Sequence, residues 1–200
     1  MNNLNNIKVD SRGLWSRDDL ALRLTDNTDQ SHAQSVVSDK LDEESFSAIT
    51  LDTFGCEEKL ETIDLIMLDI EGGEHEALRG AETYLTLPVE KAPALIFEVH
   101  RSYVDWSDGL HKVDVVRYLE SLGYKVWAIR DFQGNWPMKG RPIELVLPQE
   151  AHLEGPAHGF NLVAVKNPEL LAGPEFRVRS GVSPKYLRHR DPKMHAPLED

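Results

Sequence analysis

A run of apolar residues that leads into two acids and a glycine pair is the feature that most constrains the fold. Residues 65–68 are all apolar without alternation, a pattern typical of a central strand covered on both faces in a parallel sheet. Asp69 and Glu71 follow at the carboxyl end of that strand, where open α/β sheets bind ligands. Gly72 and Gly73 then permit a tight turn, and Glu74 begins a predicted helix. The pattern predicts the edge of an active site.

A second apolar strand is predicted at residues 94–100, one helix length further along the chain. Two strands joined in this way form a βαβ unit and are parallel neighbours. The two-residue period of a strand puts Glu98 and His100 on the same face. We therefore expect both side chains to end beside Asp69 and Glu71.

Three carboxylates and an imidazole at one sheet edge are compatible with three kinds of site. They could act as general bases, bind a divalent metal, or hold the hydroxyl groups of a polar ligand. The structural alternative is that Asp69 and Glu71 only cap the following helix and that His100 is an ordinary strand-end residue.

Four sequence blocks in this order resemble the FkbM family of S-adenosylmethionine-dependent methyltransferases. They are Thr50-Leu51-Asp52-Thr53-Phe54, the stretch from Ile63 to Glu74, Leu78-Arg79-Gly80-Ala81, and Ile96-Phe97-Glu98-Val99-His100. Met67 and Gly73 stand where the family usually has Lys and Ala. Residues 6–15 and 20–24 are similar to the family's third core strand and the segment after it.

The resemblance implies an α/β fold with a Rossmann-like class I methyltransferase sheet, mostly parallel with an antiparallel edge strand. It covers about residues 4–166, so we predict a methyltransferase domain at 1–166 and a basic, proline-containing tail at 167–200. A class I methyltransferase holds its cofactor with a glycine-rich turn after the first strand and an acid at the end of the second. This sequence has neither feature before Gly72. The domain is therefore expected to be N-terminally incomplete, with exposed strand edges.

The implied reaction is methyl transfer from S-adenosylmethionine to a hydroxyl of a sugar, a glycan or a polyketide-like small molecule. His100 is the predicted base, with Glu98 orienting it and Asp69 and Glu71 on the cofactor or acceptor side. The cofactor-binding set also includes residues near the adenine, which are Asp10, Ser11 and Arg12. A divalent metal on Asp69, Glu98 and His100 is the less favoured option.

Two other functions stay open. A truncated, catalytically inactive domain could act by pairing with another chain, including a second copy in a homo-oligomer. A carbohydrate-binding module using Tyr103 and Trp106 is the weaker alternative, because no further aromatic residues repeat such a platform.

Composition excludes several classes of partner. The formal net charge of -12 disfavours a nucleic-acid binder, because the phosphate backbone would be repelled. No apolar stretch is long enough to span a bilayer. Cys56 is the sole cysteine, so an intramolecular disulfide is impossible and a reducing cytoplasm is the expected location.

The rest of the chain gives a coarse order of elements. We expect a polar loop at residues 26–44, a helix at 112–122, and strands at 124–129 and 143–147. Residues 160–165 are predicted as the closing, antiparallel edge strand. The tail after residue 166 is expected to be solvated and poorly ordered.

Overall fold

The computed structural model describes residues 6–26, 33–38, 42–132, 138, 140–154 and 159–198. They form an α/β fold with two main sheets and a small strand pair. In chain order the elements are β1 (Gly13–Leu14), β2 (Ala21–Asp26), β3 (Ala33–Ser38), β4 (Ser45–Ile49), α1 (Leu51–Glu58), β5 (Leu65–Leu68), α2 (Glu74–Arg79), α3 (Glu82–Leu85), β6 (Ala94–His100), α4 (Asp114–Ser121), β7 (Lys125–Ile129), β8 (Asp131–Phe132), β9 (Ile143–Val146), β10 (Gly159–Val165), β11 (Phe176–Arg179), β12 (Lys185–Tyr186) and α5 (Pro192–His195). None of the helices described is long and apolar enough to cross a membrane.

The larger sheet has six strands in the order β11-β9-β7-β10-β6-β5. The pairs β5–β6 and β9–β11 are parallel, whereas β10 is antiparallel to β6 and β7, and β7 is antiparallel to β9. The sheet is Rossmann-like but mixed, so the prediction of a mostly parallel sheet is wrong. The strand predicted at 160–165 is antiparallel, as expected. It lies inside the sheet and not at its edge, because it pairs on both sides.

The predicted βαβ unit is confirmed. Strands β5 and β6 are parallel, with Leu68 opposite Phe97. The connection is two short helices, α2 and α3, whose apolar stripe packs into the core. The chain turns between them at Gly80, where a Cβ would collide with the backbone carbonyl of Trp15. This close approach joins the connection to the N-terminal part of the chain.

Strand β5 lies at the end of the sheet order, and not at its centre as the sequence predicted. Ile66 and Leu68 are buried, but Leu65 and Met67 are 51% and 72% exposed. Within the described part of the chain, β6 is the strand that pairs with β5, so one edge and one face stay open. A continuous apolar run therefore gave the correct strand but the wrong position in the sheet.

The N-terminal strands form their own sheet, in the order β1-β4-β2-β3. Residues 6–15 were predicted to supply the third strand of the main sheet, but within this segment only Gly13–Leu14 form a strand, and that strand pairs with β4. The loop predicted at 26–44 is also wrong in part, since β3 pairs antiparallel with β2. Residues 27–32 and 39–41 of that prediction lie outside the described residues.

The segment after residue 166 is not a solvated tail. Strand β11 joins the main sheet beside β9, and Tyr186 and His195 are buried. The buried Arg130 forms an ion pair with Glu144 and donates to the backbone carbonyls of Ser183, Met194 and Ala196. These bonds fix the C-terminal segment to the sheet. A domain boundary at residue 166 stays a prediction.

A second set of bonds completes this attachment from the side of Glu144. Tyr186 donates its hydroxyl to the Glu144 carboxylate at 2.6 Å, and Arg179 donates to the other carboxylate oxygen at 3.1 Å. The burial of these charged groups is tolerated because each is hydrogen-bonded to an opposite charge or a polar partner.

Candidate active site

The parallel register of β5 and β6 brings the predicted acids to one edge of the main sheet. Asp69 and Glu71 follow the end of β5, and Glu98 lies near the end of β6. One carboxylate oxygen from each of these residues lies within 4.8 Å of the others. The structure thus brings Asp69, Glu71 and Glu98 together, as the strand-end argument predicted.

The turn after β5 holds Glu71 in an unusual backbone conformation. Glu71 has a φ of 55° and Gly72 a φ of 97°, both in the left-handed region. Such a conformation costs a non-glycine residue about 1–3 kcal/mol and persists only where surrounding contacts hold it. Glu74, 4% exposed, closes the turn by accepting a hydrogen bond of 2.9 Å from the Ile70 amide. The sequence indicated Glu74 only as the start of a helix.

Glu98 has the most perturbed carboxyl group at this edge. Burial is the main cause that raises the pKa of Glu98 to about 7, and the neighbouring charges of Asp69, Glu71 and Glu74 contribute to that rise. Lys185 of β12 acts in the opposite direction. A carboxyl group that is about half ionised near neutral pH is well suited to accept and release a proton.

His100 is oriented by the turn that follows β6. Its Nδ1 accepts a hydrogen bond of 3.1 Å from the backbone amide of Ser102. The neutral ring therefore carries its proton on Nε2, an assignment inferred from the hydrogen bond. The Tyr103 ring lies 5.4 Å from the imidazole, centroid to centroid.

Strand β10 pairs with β6 along the edge opposite β5, next to Glu98 and His100. Asn161 lies opposite Glu98, and Gly159 lies opposite His100. Sequence reasoning did not single out Gly159 or Lys185. A glycine at a strand end is a signal for close approach of another group, but the residues that approach it depend on strand pairing.

A cavity of about 310 Å³ opens beside this edge. Its polar lining includes Glu74, Glu98, Tyr103, Asp105, Lys112 and Asp114. Burial and the charge of Glu71 raise the pKa of the Tyr103 hydroxyl. The second predicted aromatic, Trp106, is buried and stacks on Phe160 at 5.2 Å, so it covers the sheet. The volume suits a small polar molecule.

Asp10, Ser11 and Arg12 lie at the exposed surface or only partly buried beside α1. Arg12 donates to Asp10 at 2.7 Å and to Glu57 at 2.6 Å. The hydrogen bonds from Arg12 lower the pKa of Asp10 to about 2. These contacts join the segment to α1 and not to the acids around Glu98, so a role for it in cofactor binding stays a prediction.

The carboxylates at the sheet edge have the chemistry that the polar parts of S-adenosylmethionine, the cofactor implied by the resemblance, would need. The exposed Asp69 and the half-buried Glu71 are acceptors for ribose hydroxyls and counter-charges for an ammonium or sulfonium group. The same oxygens are of the type that hard divalent cations prefer. The carboxylates close enough to share a metal ion are those of Asp69, Glu71 and Glu98, so Glu71 replaces His100 as the third ligand of the metal site expected from the sequence. The preference for base catalysis over a metal stays a prediction.

Comparison with protein families gives one match. The model of the methyltransferase FkbM domain matches residues 2–126, which include β5, β6 and all the acids at the sheet edge. No curated protein and no solved structure matches the chain significantly. The strands after β7, with Gly159 and Lys185, lie beyond the matched residues.

Proposed function

The chain belongs to the FkbM methyltransferase family, and from that membership we propose that it is an S-adenosylmethionine-dependent O-methyltransferase. The acceptor would be a hydroxyl of a sugar, a glycan or a polyketide-like small molecule. The observation that carries this proposal is the convergence of Asp69, Glu71 and Glu98 beside a cavity. An acceptor hydroxyl must be held there and must lose a proton.

Asp69 and Glu71 are the residues that would hold the cofactor. Bound S-adenosylmethionine would supply an electrophilic methyl group on a positively charged sulfur. The negative charge of the two carboxylates favours a cationic group at this edge over an anionic one. Glu74 keeps the turn that carries Glu71 closed through its bond to the Ile70 amide.

Glu98 is the proposed proton acceptor. Its pKa of about 7 leaves part of the population ionised and ready to take the hydroxyl proton. The lone pair of His100 on Nδ1 is engaged by the Ser102 amide, which disfavours proton uptake there. This geometry favours Glu98 as the base and His100 as a hydrogen-bond donor through Nε2, which reverses the roles expected from the sequence.

Positioning would supply most of the acceleration. Methyl transfer is an in-line displacement, so the acceptor oxygen, the methyl carbon and the sulfur that leaves must lie on one line. Glu74, Glu98 and Tyr103 are among the residues that line the cavity, and the two carboxyl groups would orient the several hydroxyls of such an acceptor.

A second function has one observation in its favour. Within the described part of the chain one edge of β5 is unpaired, and together with the exposed Leu65 and Met67 it is the kind of surface that pairs with another chain. A catalytically inactive domain that acts by such pairing is therefore the alternative, and a homo-oligomer is one form of it.

Calorimetric titration with S-adenosylhomocysteine, with and without magnesium, tests the proposal. We expect micromolar binding and a loss of about tenfold to a hundredfold in affinity for Asp69→Asn, since a charged hydrogen bond contributes about 1.5–3 kcal/mol. The matched control is Asp108→Asn, in an exposed turn. Absence of binding by the folded chain would favour the non-catalytic alternative.

A further inference from the structure

Gly159 is buried at the first position of β10, directly opposite His100. A Cβ built on Gly159 would lie 2.7 Å from the Glu98 carboxyl carbon and 2.7 Å from Cδ2 of His100. Both distances are well inside van der Waals contact. The side chains of Glu98 and His100 therefore occupy the space that any other residue at position 159 would fill.

We propose that Gly159 is a positioning residue of the active site. Because it has no side chain, the Glu98 carboxylate and the His100 ring can lie side by side in the space that a Cβ would occupy. The catalytic consequence rests on the proposed methyl transfer. The positioning itself rests on the contacts alone.

Backbone conformation does not explain this glycine. The described glycines with positive φ are at positions 72, 109, 123, 140 and 181. Gly159 is not one of them, so alanine can adopt its backbone conformation. Asn161, two residues further on the same face, carries a side chain and remains exposed. Glycine in a strand loses side-chain packing and is conformationally costly, so its presence indicates a close approach from another group.

An added methyl group would push the Glu98 carboxylate away from its present surroundings. Those surroundings are Asp69 and Glu71 after β5, Glu74 of α2, Lys185 of β12 and His100 on the same strand. Moving the carboxylate toward solvent would reduce its desolvation and its repulsion by the other acids. Its proton affinity would then fall toward that of an ordinary glutamate.

The test compares Gly159→Ala with Gly173→Ala, where an added Cβ meets only the side-chain carboxyl end of Glu175. The side-chain carboxyl of Glu98 is titrated by carbon NMR in EDTA without cofactor, and its resonance is assigned from the spectrum of Glu98→Gln. We expect the pKa of Glu98 to fall from about 7 toward 4.5 in Gly159→Ala and to stay unchanged in Gly173→Ala. An unchanged titration in a folded Gly159→Ala chain would overturn the proposal.

The steady-state kinetics of methyl transfer give an independent test of the role of Gly159. With an active wild-type enzyme, Gly159→Ala should lower kcat by about tenfold or more while KM for the cofactor stays constant, because the proton acceptor is misplaced. If the wild type has no methyltransferase activity but the Glu98 titration still shifts, the positioning stands and the proposed function fails.

A double-mutant cycle covers the case in which Gly159→Ala does not fold. The same substitution is made in a chain that carries Glu98→Ala and His100→Ala, where the crowded atoms are gone. We expect this background to tolerate Gly159→Ala, with most of the loss of stability removed. An equal loss in both backgrounds would show that the crowding comes from elsewhere.

Discussion

Replacing Glu98 by glutamine should stabilise the folded chain, and the gain should depend on pH. Glutamine has nearly the size of a protonated glutamate but has no proton to lose near neutral pH. The pKa of Glu98 is raised by its burial and by the charges of Asp69, Glu71 and Glu74. The substitution therefore removes a charge that the folded state holds at a cost.

The magnitude follows from the difference in titration between the folded and unfolded chain. A carboxyl group that titrates at about 7 in place of 4.5 costs folding about 3 kcal/mol once both states are ionised. Glu98 is only partly buried, so solvent screening reduces the expected gain to about 1–2 kcal/mol. Because the folded-state pKa is raised, the wild type loses this stability as the pH rises from about 4.5 to about 7.

Urea denaturation of both proteins between pH 4.5 and pH 8 measures the effect. The two unfolding free energies should be similar at the acidic end, diverge as the pH rises, and differ by a constant amount above about pH 7.5. Glu90→Gln, in an exposed turn, reports the effect of removing one negative charge from the surface. A stability difference that does not change with pH would refute the assignment of Glu98 as a buried, like-charge-crowded acid.

Two further substitutions test the C-terminal segment. Glu144→Gln should destabilise the chain by about 3–5 kcal/mol in urea denaturation, because the buried Arg130 loses its counter-charge, and a loss below about 1 kcal/mol would contradict the role of this ion pair. Lys185→Met should raise the pKa of Glu98 above 7 in the same carbon NMR titration, because a nearby positive charge is removed, and an unchanged value would show that Lys185 does not act on Glu98.

Local sequence patterns were sufficient to predict several elements of the main sheet and its helices. The apolar run at 65–68, the alternation at 94–100 and the spacing of apolar residues in α4 each predicted an element that the structure contains. The βαβ rule also predicted that Asp69, Glu71 and Glu98 lie at one edge of the sheet. These predictions succeeded because each depends on residues close together in the chain.

Predictions of where each strand lies in the order of the sheet failed. Nothing local in the apolar run shows whether β5 lies at the centre or the edge of a sheet, and nothing local shows that β10 is inserted between β6 and β7. The basic composition after residue 166 indicated a solvated tail, whereas Arg179 pairs with the buried Glu144 and Lys185 is itself buried. Charge composition describes a segment but does not say which opposite charges it will meet.

The amino-acid sequence by itself determined the strand, turn and helix that present the acids, because periodicity and turn chemistry act over a few residues. Only the tertiary structure decided how those acids behave. The raised pKa of Glu98 needs burial and the charges of three other acids, and the space for it needs a glycine 61 positions away in sequence, Gly159. Desolvation and close packing are properties of groups brought together by long-range strand pairing, so they exist only in the folded chain.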